Sequence, residues 1–486
     1  MNVLKPSIFT AMRILFCKVA TCLFCFQLAA LSAFSQKTGY QIIVQIPAMK
    51  DTPCYLANYY GDKQYIQDTV RSDGNGTVVF EGKKQLPGGI YLFVFPDKRY
   101  FEMLIDKEQY FSMETTWDDP ISHMKVKGSK DNDLFYQYLR FAVQLQKSAM
   151  ELQEKLKTAT SRSDTLFVNE QLKLNEEKIS SYRNQFIKDH PDLFLSKIFK
   201  TMPEPEVPAE IPVLPNGRKD STFAYRYFKG HYFDNVDFAD SRLLRTPLFA
   251  PKIEKYIKQL TPQIPDSINQ SAELVVEKAK ADSEVFKYVL WWITYTYETS
   301  KIMGMDEVFV HMVEKYYMTG QAYWLDSAQQ VKIIDRARKI APNIIGNTAP
   351  ELALKDTSGK WQVLSKVQAK YTILVFYDPD CGHCQKEMPK VKEVYSKWKR
   401  QGVEVYAVDI EVDDVKWKKF IRDQQLTWIN VNDAGHQSNF RQLYDIYSTP
   451  VIYILDEKKV IRAKRIGADQ IDEFLNHLET TAQKKS

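Results

Sequence analysis

Little in this sequence is extreme, and its shortages narrow what it can be. Cysteine is scarce, with six in 486 residues, too few for a scaffold built from disulfides. Excess charge is lacking: 66 Lys and Arg stand against 61 Asp and Glu. Three of the positives, Lys5, Arg13 and Lys18, lie in the first 35 residues, which carry no acid, so the remainder is only +2. That balance gives no case for binding nucleic acid through bulk charge. After residue 35 no run is long and apolar enough to span a bilayer, which takes roughly 20 residues. His190, His231 and His311 stand singly, without a second ligand at helical spacing, so none marks a metal site. No internal repeat is visible. With 44% hydrophobic and 26% charged residues, wholesale disorder is excluded, and the length suggests about three domains of ~150 residues.

Residues 1–35 read as an export signal. Lys5, Arg13 and Lys18 precede or enter an apolar stretch from Val19 to Phe34, and Ala33 and Ser35 are small residues suited to a cut before Gln36. An uncleaved membrane anchor is the alternative. A lipoprotein is another, since Cys17, Cys22 and Cys25 lie here, although Val19-Ala20-Thr21-Cys22 fits a lipidation site poorly. Cleavage leaves three cysteines, Cys54, Cys381 and Cys384, in an oxidising compartment. Cys54 is expected to be a buried small hydrophobe.

The mature chain changes period several times. Residues 36–130 are β-rich: Tyr40–Ile46, Thr77–Phe80, Ile90–Phe95 and Tyr110–Met113 are short β-branched and aromatic runs. Turn signals around Asp73 and Pro87 separate them, predicting a small β-sandwich or open barrel. The Asp73 turn lacks the ligand spacing of an EF-hand calcium loop. Residues 131–202 carry apolar positions three or four apart, with a break and N-cap at Ser161, predicting a helical hairpin. Residues 203–220 hold Pro203, Pro205, Pro208, Pro212 and Pro215 and read as an extended connector. Residues 221–342 return to a helical pattern rich in aromatics, best read as ordinary core packing. The fold class expected is thus an all-β N-terminal part and an all-α central region. Residues 343–486 then alternate α and β around a buried sheet.

Chemistry concentrates in this last part. Cys381-Gly382-His383-Cys384 follows the strand-like run Tyr371–Tyr377 and precedes helical positions Met388, Val391, Tyr395 and Trp398. Two cysteines so spaced at a strand-to-helix junction can close a disulfide within one turn. The free amides and positive dipole end of the helix stabilise a thiolate, the reactive form. Cys381 is expected to be the exposed nucleophile and Cys384 the resolving thiol. Zinc would need further ligands, and no second cysteine pair is available.

Residues 346–480 resemble the thioredoxin-like domain, and more closely the exported thiol–disulfide oxidoreductases of the TlpA/ResA type. The matching stretches are Ala349–Leu352, Cys381–Pro389 and Ser448–Val451. The resemblance implies a thioredoxin fold, no metal and no organic cofactor. It implies that Pro450 is a cis-proline beside the cysteines, and that Thr449 offers backbone groups to a substrate segment. Glu387 matches the family's acidic position, expected to manage the Cys384 proton or to shape the substrate groove. His383 is expected to stabilise the Cys381 thiolate by charge or hydrogen bonding; the same dipeptide occurs in protein disulfide isomerase, at about −180 mV against about −270 mV for thioredoxin. Departures are Asp380, where the family has Trp, and Val375, where cytosolic thioredoxin has a buried acid. Asp378 replaces the Thr of a peroxiredoxin, which argues against peroxidase chemistry.

The expected partners are protein dithiols and disulfides of the cell envelope, with the periplasm as the expected compartment. A membrane thiol carrier is expected as electron donor. Cytochrome c maturation and general protein disulfide reduction are the roles the resemblance suggests, while the histidine dipeptide leaves oxidation or isomerisation open. The alternative is an envelope binding protein that uses the thioredoxin-like part only for docking. The sequence does not fix the oligomeric state.

Overall fold

The structure is a computed structural model that describes residues 38–159, 161–411, 413–435 and 438–483. The export segment expected at residues 1–35 lies outside them. No helix among the described residues is long and apolar enough to cross a membrane. The chain divides into two compact units. One runs to Glu204 and takes in Asn235–Asp237 and Arg242–Ala250; the other holds Pro205–Asp234, Phe238–Ser241 and Pro251–Ser486.

The first unit opens with eight strands: β1 (Tyr40–Gln45), β2 (Pro53–Tyr60), β3 (Lys63–Arg71), β4 (Thr77–Gly82), β5 (Gly89–Val94), β6 (Tyr100–Ile105), β7 (Tyr110–Glu114) and β8 (Lys125–Lys127). They form two four-stranded sheets, in the orders β4-β1-β7-β8 and β3-β2-β5-β6. Alternate residues turn inward, Ile42 and Val44 on β1, Val78 and Phe80 on β4, as the two-residue period of a strand requires. Phe80 meets Phe93 of the other sheet edge-to-face, ring centroids 6.1 Å apart, so the sheets face each other as a sandwich. The apolar runs anticipated β1, β4, β5 and β7 but not β2, β3, β6 and β8. β3 shows why: it is an edge strand, largely exposed and rich in polar residues, so it has no buried face to impose alternation.

The Asp73 turn is held by its own carboxylate, which accepts from the Asn75 and Thr77 amides, each at 2.8 Å. Gly76 completes it at φ +79, where a Cβ would lie 2.1 Å from the Ile46 carbonyl oxygen. Cys54 is buried in β2, and burial pushes its thiol up to about 11. Helices α1 (Lys130–Thr158), α2 (Arg162–Asp189) and α3 (Phe194–Thr201) complete the unit, the first two N-capped by Ser129 and Ser161. Phe141 of α1 stacks on Tyr182 of α2 at 4.9 Å. Asn132 bonds both backbone groups of Leu104 at 2.7 Å, which satisfies part of the open edge of β6.

The second unit contains α4 (Phe223–His231), α5 (Phe249–Lys258, whose first two residues belong to the first unit), α6 (Pro265–Ala279), α7 (Ser283–Glu298), α8 (Asp306–Met312) and α9 (Ser327–Ile340). Most of its aromatics are core, among them Tyr232, Phe233 and Trp292.

The α/β part follows: β9 (Ala353–Asp356), β10 (Trp361–Val363), β11 (Tyr371–Tyr377), α10 (Gly382–Trp398), β12 (Val403–Asp409), α11 (Asp414–Gln424), β13 (Ile429–Asn432), α12 (Phe440–Leu443), β14 (Val451–Asp456), β15 (Ile461–Lys464) and α13 (Ile471–Gln483). The sheet order is β10-β9-β13-β12-β11-β14-β15. β11 lies in its interior, parallel to β12 on one side and antiparallel to β14 on the other. Every residue of β11 is buried, because helices and loops cover both faces. Ile373, Val375 and Tyr377 face one core with Met388, Val391, Tyr395 and Trp398 of α10; Leu374 and Phe376 face the other. This is the thioredoxin fold, with the β9–β10 hairpin as an element the sequence reading did not foresee.

Candidate active site

The carboxyl end of β11 releases the chain into Asp378–Asp380, and α10 begins at Gly382. Cys381 is the N-cap residue, with extended backbone and no side-chain cap bond. Its sulfur therefore faces the unpaired amides of the first helical turn. Partial burial pushes the Cys381 thiol up, but the Cys384 amide, Thr449, the Cys384 thiol and the His383 amide outweigh it and hold the thiol below its ordinary value. Cys384, one turn inside, is fully buried against the sheet. Burial pushes it up to about 12, against a partial pull from the Asp378 amide, which lies 3.5 Å from its sulfur. Both are thiols here, set apart by their surroundings.

Thr449–Pro450 is a cis peptide. The Cys381 thiol donates to the Thr449 carbonyl oxygen at 3.6 Å, so this loop adjoins the cysteine pair. Glu387 makes no hydrogen bond to Cys384 among the described residues. Its carboxylate pairs with Lys390 at 2.6 Å and accepts from the Ala468 amide at 3.2 Å. With Ser448, Pro450 and Arg465 it lines a hollow of about 290 Å³. It is thus part of the wall beside Pro450. Residues three apart share a helix face, and here Cys384 is buried while Glu387 is half-buried. The His383 ring is exposed and makes no hydrogen bond among the described residues; its backbone amide is one of the groups that hold the Cys381 thiol down. Asp380 forms a salt bridge with Lys416 at 2.7 Å, which offsets the opposition to a thiolate expected of an acid at that place.

One buried acid escaped the sequence reading. Asp409 ends β12, in register with Tyr377 on β11. It is 1% exposed and accepts from the Glu411 amide at 3.1 Å and the Asn432 side chain at 3.3 Å. Burial pushes its carboxyl up to about 7. Standing last but one in the run Val403–Ile410, it resembles an ordinary polar strand end; only the sheet's closure over it makes it distinctive.

The AhpC/TSA family matches residues 345–464. The C-terminal part of this chain is thus an AhpC/TSA-family, thioredoxin-like domain. Two families described as domains of unknown function match what precedes the AhpC/TSA domain, DUF4369 over residues 40–135 and DUF5106 over residues 146–343. Within the AhpC/TSA domain the relatives are thiol–disulfide oxidoreductases. The thiol–disulfide oxidoreductase ResA of Geobacillus kaustophilus is 29% identical over 136 residues, 28% of this chain and 77% of that protein. The ResA of Bacillus cereus is 28% identical over 135 residues, 28% of this chain and 77% of its own. Among solved structures, a domain of a possible thiol–disulfide isomerase from Cytophaga hutchinsonii is 47% identical. It covers 30% of this chain and 99% of that one, with a TM-score of 0.29.

The contrast between the thiols has a direct test. Alkylation of the reduced protein by iodoacetamide is expected to follow one ionisation below that of an ordinary thiol, rising with pH as the Cys381 thiolate forms. Cys384 and Cys54, buried and raised, should stay unlabelled until the protein unfolds. Mass mapping of quenched samples reads this, and label on Cys384 or Cys54 ahead of Cys381 contradicts it.

Proposed function

We propose that this chain is an exported thiol–disulfide oxidoreductase working on envelope proteins through Cys381 and Cys384. The observation that carries the reading is the contrast between the two thiols: Cys381 is part-exposed at the helix N-cap beside the Thr449 carbonyl, and Cys384 is buried one turn inside. In the reducing direction the Cys381 thiolate attacks one sulfur of a client disulfide. A mixed disulfide forms and the other client sulfur leaves as thiolate. Cys384 then gives up its proton and attacks the Cys381 sulfur, closing the Cys381–Cys384 disulfide and freeing the second client thiol. The client gains two electrons and the cysteine pair loses them. A dithiol donor, expected to be a membrane thiol carrier, restores the pair.

Thr449 presents its carbonyl oxygen beside Cys381, where an extended client segment would pair with it, and Glu387 frames the groove past Pro450. The residue 1–35 segment supports an envelope location. Reduction of apocytochrome c or of other envelope proteins is the role this assignment favours.

The test is Cys384→Ser expressed in the native envelope. With the resolving thiol removed, clients should accumulate on Cys381 as adducts released by dithiothreitol, and mass spectrometry should name them. Adducts that persist in a Cys381→Ser/Cys384→Ser double variant point to Cys54 and overturn the assignment.

A further inference from the structure

Beside the hollow at Pro450, two further hollows lie against the helical region. Arg465, which closes the hollow beside Pro450 and Glu387, also lines a hollow of about 360 Å³ between Tyr447 and the α7–α8 loop, Ser300–Gly304. It lines a third with Lys301 and Met303. Three hollows thus share Arg465 as a wall, and this row, the trough, reaches from Pro450 to the Ser300–Gly304 loop of the helical region that precedes the domain.

Its two walls are joined by buried polar contacts. Asp445, itself buried, bonds Arg336 of α9 and, at 2.8 Å, Arg465. The Arg465 guanidinium lies 4.7 Å from the Tyr447 ring centre. The buried Lys464 pairs with Asp306 of α8 at 2.5 Å, and its amide meets the Met303 sulfur at 3.4 Å. The Asn343 side chain bonds the Leu443 carbonyl at 3.1 Å. A trough built on such contacts is formed before any client arrives, which lowers the ordering cost of binding. Around it stand apolar side chains with no core to fill: Tyr447 is 67% exposed, Ile302 64% and Met303 42%. Single exposed apolar residues are ordinary, but a group of them around one hollow marks a contact surface. The charges alongside are of both signs, so the trough is unsuited to a ligand of one strong charge.

We propose that this trough is the outer half of the client site. It receives an extended polypeptide segment flanking the client's cysteine and seats an apolar side chain of that segment among Tyr447, Ile302 and Met303. The inference rests on the thiol–disulfide reading and gives the helical region a part in choosing clients. The occupant follows from continuity: a chain whose cysteine is held at Thr449–Pro450 runs into this trough if it continues past Arg465.

The test uses the full chain with Ile302→Glu and, as a conservative control, Ile302→Met. Two probes are reduced: hydroxyethyl disulfide, too small to leave the cysteine site, and a synthetic disulfide peptide of about 12 residues, extended to about 40 Å at most, with leucines flanking its cysteine. Ile302→Glu should reduce hydroxyethyl disulfide within about twofold of wild type and the peptide about tenfold more slowly, equivalent to about 1.4 kcal/mol. Ile302→Met should restore the peptide rate. Replacing the peptide's leucines by serine should remove the difference between wild type and Ile302→Glu. Wild-type peptide rates in Ile302→Glu, or equal losses on both probes, overturn the proposal and leave the redox assignment standing. A wild-type protein inert to hydroxyethyl disulfide overturns both.

Discussion

Cys381→Ser is expected to abolish disulfide exchange. In an insulin-reduction assay driven by dithiothreitol, the variant should fall to the uncatalysed rate, a loss of roughly 10³-fold or more, the scale on which removing a nucleophile acts. The reason lies in the local geometry. Among the described cysteines Cys381 alone combines access to solvent with the amides of His383 and Cys384, and a serine hydroxyl there neither ionises near neutral pH nor forms a disulfide. Cys384 cannot replace it, being fully buried with its thiol raised to about 12. Cys54 lies in the other unit, within the β-sandwich. The same assay separates the enzyme from a binding protein that merely docks through this domain. Equal insulin reduction by wild type and Cys381→Ser would favour the binder and remove the basis of the mechanism. The fold should be unaffected, since the substitution changes one atom at a helix tip, so circular dichroism and thermal melting should match wild type.

Asp409→Asn is expected to stabilise the protein at alkaline pH. The folded state holds the Asp409 proton until about pH 7, whereas an unfolded aspartate releases it near 3.9. Between those values folding retains a proton that the unfolded chain has lost. This group's contribution therefore makes stability fall as pH rises from about 4 to 7, and it levels off above that. Roughly three pKa units correspond to about 4 kcal/mol at most. Asparagine removes the buried charge and still accepts from the Glu411 amide. It loses the bond from Asn432, whose oxygen is already engaged by the Ala434 amide at 2.7 Å, so about 2 kcal/mol of net gain at pH 8 is expected. Urea melts at pH 4.5 and pH 8 read this as a difference between variant and wild type. The variant should gain at pH 8 relative to pH 4.5. A constant difference across that range would show that Asp409 ionises in the fold as it does in the unfolded chain.

How much was legible in the sequence differs by element. β11 and α10 were readable because each is dictated by its own run: seven consecutive apolar or β-forming residues from Tyr371, then Met388, Val391, Tyr395 and Trp398 at helical spacing. The cysteine pair was readable because its spacing and its place at their junction are both sequence facts. β3 was not, because an exposed edge strand needs no apolar pattern. Glu387 was placed on the right helix but with an uncertain partner, since the Ala468 amide it holds is 81 residues away. Asp409 and Arg465 gave no signal at all. An aspartate at a strand end and an arginine after a hairpin are commonplace until the fold surrounds them.

The sequence by itself determined the cysteine pair on which the proposed redox chemistry rests. A thiolate at a helix N-terminus and a second thiol one turn on are set by four adjacent residues and the run on either side. Tertiary structure alone decided what surrounds that chemistry: which thiol is dry, which acid is buried, and which distant side chains line the groove. Local order follows from neighbours along the chain, whereas burial and electrostatics depend on groups brought together from far apart, and those meet only when the chain has folded.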